Sequence, residues 1–118
     1  MKRVVLLLLL TWAGHAAALT GTDLKSFCDD DKASLQLACL MYISGVAAGL
    51  NLAPVVPADD GSGARELICP PAGARHMARR QVVAAYLEAH PEILTLPAEA
   101  LVFLSLREAW PCSGGASG

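Results

Sequence analysis

The chain is poor in the residue patterns that carry catalysis. It has no GxSxG elbow, no HExxH pair and no phosphate-binding glycine loop, which removes the common signatures of serine hydrolases, zinc peptidases and nucleotide-binding enzymes. Histidine is scarce, at three residues. The four cysteines include no CxxC pair, and their wide spacing speaks against a zinc site. The acidic run Asp29-Asp30-Asp31 lacks the alternating ligands, the glycine and the closing glutamate of an EF-hand loop. Nine basic residues stand against eleven acidic ones, a balance unsuited to non-specific nucleic-acid binding. No strand pattern and no internal repeat is present. Neither enzyme activity nor a cofactor or metal is expected.

What the chain does have is apolar sequence in two blocks. The first lies at the N-terminus. Lys2 and Arg3 precede the apolar stretch Val4 to Leu10, and Ala16-Ala17-Ala18 supplies the small residues of a cleavage site. Residues 1–18 therefore read as a signal peptide cut before Leu19, and an uncleaved anchor is the rival. Export to the periplasm follows. Loss of Lys2 and Arg3 leaves a mildly acidic mature chain, long enough for one core. Residues 19–113 are expected to form one domain and residues 114–118 a flexible tail.

The second block, residues 35–52, contains no charge and no proline. It suits either a membrane span or the central helix of a small bundle. Cys39 inside the block, matched by three cysteines outside it, favours the bundle. Gly45 and Gly49 share a helical face; in lipid they would read as a dimerisation face, and in a soluble bundle they are expected to let a neighbouring helix approach closely.

Around this helix the chain predicts an all-α fold, a small four-helix bundle braced by disulfides after a cleaved signal peptide. Thr20 or Thr22 caps a first helix ending near Cys28, with Asp23 in its first turn and Leu24 and Phe27 on its apolar face. Ser34 is placed to cap the central helix. Pro54 and Pro57 stop that helix and open a loop, residues 54–66, that carries Asp59 and Asp60. A third helix over residues 74–89 turns Met77, Val82, Val83, Tyr86 and Leu87 inward and ends at His90-Pro91, with the imidazole placed to meet the last carbonyls. A short turn follows. Pro97 then opens a fourth helix with Leu101, Val102, Leu104 and Leu106 facing the core.

This arrangement pairs the cysteines. Cys28 closes the first helix and Cys39 lies just inside the second, at one end of a hairpin. Cys69 precedes the third helix and Cys112 follows the fourth, so antiparallel helices bring their outer ends together. Cys28–Cys39 and Cys69–Cys112 are the expected disulfides, each worth about 2–4 kcal/mol to a domain this small. Arg75, Arg79 and Arg80 crowd the start of the third helix, where the helix dipole disfavours positive charge. They read first as a solvated face compensated by Glu66 or another carboxylate, and second as a contact for an acidic partner.

An ordered set of short motifs spans residues 20–112. It runs Cys39-Leu40-Met41-Tyr42-Ile43-Ser44-Gly45, Ile68-Cys69-Pro70, Gln81-Val82-Val83 with Tyr86-Leu87, His90-Pro91-Glu92, and Ala109-Trp110-Pro111-Cys112. In this order the set resembles the Rap/Tai family of immunity proteins that accompany type VI secretion amidase effectors. The resemblance implies a small helical periplasmic protein without catalysis, commonly dimeric, that binds a peptidoglycan amidase effector and blocks its cleft. On that reading the 54–66 loop, with Asp59 and Asp60, is the candidate plug. Arg75, Arg79 and Arg80 are the second contact, and Gly45 and Gly49 the candidate dimer face. The basic start of the third helix departs from the family pattern. The alternative is a periplasmic helical binding module or chaperone unrelated to secretion.

Overall fold

The computed structural model describes residues 18–52 and 66–112. They form four α-helices: α1 (Gly21–Asp29), α2 (Ala33–Leu52), α3 (His76–Ala89) and α4 (Ala98–Ala109), with a 3-10 turn at Pro91–Ile93 before α4. Each helix contacts the other three, so one core serves them all. Leu24, Ile43, Val83, Leu87, Leu101, Val102 and Leu106 fill it. Among the described residues no strand forms, and the one extended pairing is an isolated bridge between Thr20 and Pro97.

Thr20, not Thr22, caps α1. Its hydroxyl accepts from the Asp23 N–H and the Asp23 carboxylate accepts from the Thr20 N–H, a reciprocal capping box. Those hydrogen bonds hold the Asp23 carboxyl below its ordinary pKa. The next donors are met from across the fold. Gly21 N–H donates to the Leu96 carbonyl and Thr22 N–H to the Leu94 carbonyl, both at 2.9 Å, while Ala98 N–H returns to the Leu19 carbonyl at 2.8 Å. The start of α1 is thereby sewn to the start of α4.

Gly21 makes that seam sterically feasible. A Cβ at this position would lie 2.9 Å from the Leu94 carbonyl oxygen and would collide with the buried Leu101 side chain. Gly73 has a different reason to be glycine. It sits at φ +82° in a turn closed by a hydrogen bond from Ala74 N–H to the Pro71 carbonyl, the conformation that a type II turn demands of its third residue.

Several helix ends differ from expectation. Ser34 lies inside α2, which begins at Ala33 after an Asx-type turn in which Asp30 Oδ1 accepts from Lys32 N–H at 2.8 Å. Pro97 is the N-cap of α4 rather than its first helical residue, because its ψ of 137° is still extended. Helix α3 starts at His76, two residues later than expected, since the Gly73 turn occupies the space before it. At its other end His90 Nδ1 lies 2.9 Å from the Tyr86 carbonyl oxygen, as the terminator reading requires.

Both disulfides join the expected cysteines. Cys28–Cys39 closes the α1–α2 hairpin and Cys69–Cys112 ties the segment before α3 to the end of α4. The Cys69 N–H also donates to the Trp110 carbonyl at 2.9 Å, which fastens the same corner. Lys25 pairs with Asp29 within α1 and with Glu88 of α3 at 2.9 Å. These two carboxylates push the Lys25 pKa up to about 12.

Candidate functional site

Helix α2 is apolar all round, yet the bundle covers only one side of it. Cys39, Ile43 and Ala47, spaced four apart, point into the core. The opposite stripe is open: Leu37 is 56% exposed, Met41 62% and Leu52 61%, with Gly45, Ala48 and Gly49 exposed between them. The helix is long and apolar enough to cross a membrane, but its inner face is built into the core with α1, α3 and α4 and its Cys39 is bonded to α1. The result is an exposed apolar stripe on an uncharged helix, the kind of patch that interaction sites carry.

Gly45 and Gly49 pack against no other described helix: among the described residues, a Cβ at either position would meet nothing within 4 Å. For the four described helices the expectation that these glycines admit a neighbour is corrected: they sit on the outer face, because Ile43 and Ala47 occupy the inner one. A second correction concerns Met77, which is 53% exposed rather than part of the core. It joins Leu37, Leu40, Gln36, Ala33 and Arg80 in lining a groove of about 260 Å³ between α2 and α3, so the apolar stripe continues across the helix seam.

The three arginines separate on the structure. Arg80 turns toward α1, where its Nη2 donates to the Cys28 carbonyl at 3.1 Å. That carbonyl belongs to the last turn of α1, which has no basic residue of its own. Arg80 thus supplies from α3 the cation that the negative end of α1 lacks, and its poor fit to the start of α3 is offset there. Arg75, the exposed N-cap of α3, makes no side-chain capping bond, and α3 has no acid in its first turn. Among the described residues both ion pairs belong to Lys25, so neither Glu66 nor another described carboxylate pairs with Arg75, Arg79 or Arg80.

Other polar groups are already engaged. Ser44 Oγ and His76 Nδ1 meet at 2.9 Å across the α2–α3 seam. The Tyr42 hydroxyl donates to Glu99 at 3.3 Å, and burial, aided by that carboxylate's charge, raises its pKa. Glu66, Cys69 and Cys112 lie close together, but both sulfurs are in one disulfide and offer no thiolate to a metal. All four cysteines are bonded, so no thiol is left to act as a nucleophile with His76.

Asp59 and Asp60 lie outside the described residues, as do residues 1–17 of the proposed signal peptide and the 114–118 tail. The exposed stripe through Leu37 and Met41 and the close approach at Gly21 are not foreseen in the sequence. The first is hidden because an all-apolar run has no periodicity to assign its faces. The second is hidden because it depends on a contact with residues far along the chain.

Comparison with known protein families adds one finding. A family model described as Rap1a immunity proteins matches residues 20–112, nearly the whole described region. Comparison with curated proteins and with solved structures finds no match.

Proposed function

The chain belongs to the Rap1a immunity protein family, and on that premise we propose that it is a periplasmic immunity protein that binds and blocks a peptidoglycan amidase effector delivered by type VI secretion. Family membership carries this reading. The uncovered apolar face of α2 supports it, since it gives the rigid, doubly cross-linked bundle a surface for a protein partner. The Lys2-Arg3 start, the apolar stretch and the Ala16-Ala17-Ala18 site support cleavage of residues 1–18 on export. Four cysteines, all paired, suit that oxidising compartment.

Two surfaces are assigned within this reading. The 54–66 loop, with Asp59 and Asp60, is taken as the plug for the amidase cleft, and Arg75 and Arg79, which pair with no carboxylate among the described residues, as cations for partner carboxylates. Affinity capture of the exported protein from its native periplasm, followed by mass spectrometry, tests the whole reading. One stoichiometric cell-wall amidase is expected. A broad set of unfolded clients would favour a chaperone instead. Replacing Asp59 and Asp60 together with alanine is expected to weaken capture, and unchanged affinity would remove the loop from the interface.

The Leu37–Met41–Gly45–Gly49 stripe is proposed to seat a second copy of the chain, its glycines allowing two α2 helices to approach closely. Light scattering after size exclusion is expected to give a dimer mass for the natural chain and a monomer mass for Gly45→Arg. Gly45 has open space around it, so helix content is expected to stay intact in the variant. A monomeric natural chain would contradict the assignment.

A further inference from the structure

A second groove, of about 370 Å³, runs between α3 and α4 on another side of the bundle. Its walls include Val82, Ala85 and Tyr86, and its polar lining comes from His90, Ser105 and Glu108. Small side chains open it, and its size falls at the low end for ligand sites, enough for one or two long side chains but no folded element.

The polar groups share one property: each is left as a hydrogen-bond acceptor. His90 Nδ1 lies 2.9 Å from the Tyr86 carbonyl oxygen, which can only accept, so Nδ1 is the donor and Nε2 is the nitrogen left with a lone pair whenever the ring carries one proton. The Ser105 hydroxyl already donates to the Val102 carbonyl at 2.8 Å, which leaves its lone pairs. Glu108 is an exposed carboxylate with no ion-pair partner among the described residues. The neighbouring Arg107 lies instead over the Phe103 ring, 5.0 Å from its centroid. Tyr86 and His90 stack with centroids 4.1 Å apart and form an aromatic platform beside the carboxylate.

A ligand that fits acceptors, an aromatic surface and an apolar wall is a cation on an aliphatic stem. We propose that this groove seats a lysine or arginine side chain of the bound effector, an assignment that rests on the immunity reading above. It gives the partner a second point of contact, chemically opposite to the arginines at the start of α3. Arg79 lies one turn before Val82 on α3, which makes an acidic occupant the natural competitor.

The groove can be tested without the effector. The isotopically labelled protein, purified from the periplasm, is titrated with Nα-acetyl-lysine methylamide, its Nε-acetylated form and Nα-acetyl-glutamate methylamide. Saturable backbone amide shifts confined to residues 82–90 and 105–109 are expected with the lysine compound alone. Glu108→Gln is expected to weaken that binding about threefold to fivefold, the weight of one exposed ion pair. Equal binding of the acetylated form, preference for the glutamate compound, or no shift would overturn the proposal.

With the captured effector, Glu108→Gln is expected to raise Kd by a similar factor, and Ala85→Phe, which fills the groove, is expected to raise it further. Tight capture by the natural chain with both variants unchanged overturns the groove alone. Failure of the natural chain to capture any effector overturns the immunity reading and the proposal with it.

Discussion

Replacing Cys69 and Cys112 with alanine is expected to lower the free energy of unfolding by about 4 kcal/mol, and replacing Cys28 and Cys39 by about 3 kcal/mol. The order follows from the closed loops. The first bond spans 43 residues and the second 11, and the longer loop removes more entropy from the unfolded chain. For a domain of this size the first loss corresponds to a fall in Tm of roughly 15–30 °C. The Cys69–Cys112 bond also fastens the segment before α3, whose buried Ile68 reaches the core. Urea unfolding of the two double variants, monitored by circular dichroism, checks the ranking. Equal losses, or a larger loss for the short loop, would show that native contacts at the hairpin outweigh loop entropy.

Gly21→Ala is the second large effect expected, a loss of about 2–3 kcal/mol, at the upper end for overpacking a core. The added methyl meets the Leu94 carbonyl oxygen at 2.9 Å and presses on Leu101, which is fully buried. Relief requires α1 to move from the turn before α4, which loosens the hydrogen bonds from Gly21 and Thr22 to Leu96 and Leu94. Placing alanine at Gly45, where no described residue lies within 4 Å, is the matched control and, at concentrations where the chain is monomeric, is expected to stabilise α2 by about 0.5–1 kcal/mol. If thermal melts showed Gly21→Ala and Gly45→Ala to be equivalent, the seam between α1 and α4 would not be as tight as described.

The contrast between these two glycines shows where sequence reasoning reaches and where it stops. Gly45 and Gly49 attract notice because their spacing is a local pattern, yet their role depends on which face of an all-apolar helix turns inward. That choice is made by Cys39, Ile43 and Ala47, which pack against α1, α3 and α4. Gly21 belongs to no pattern, and its necessity arises from a contact with Leu94 and Leu101 more than 70 positions away. The cysteine pairs were legible because helix order and antiparallel packing bring the right helix ends together. The cap at Thr20 and the stop at His90 were legible because each is decided within one turn of helix. At Ser34 and Pro97 the helix starts differ by a residue or two from the sequence pattern, because the Asp30 turn and the extended ψ of Pro97 set them. Arg80 shows the same limit in its charges: it looks misplaced on its own helix and is explained only by the Cys28 carbonyl of another.

On the proposed immunity reading, this chain blocks one effector enzyme by binding it. The most direct measurement titrates the purified mature protein into the captured amidase while release of cleaved stem peptide from peptidoglycan is followed. Hydrolysis is expected to fall linearly and stop at one immunity chain per amidase. Hydrolysis that continues unchanged at several equivalents, with the two proteins bound to each other, would contradict the claim.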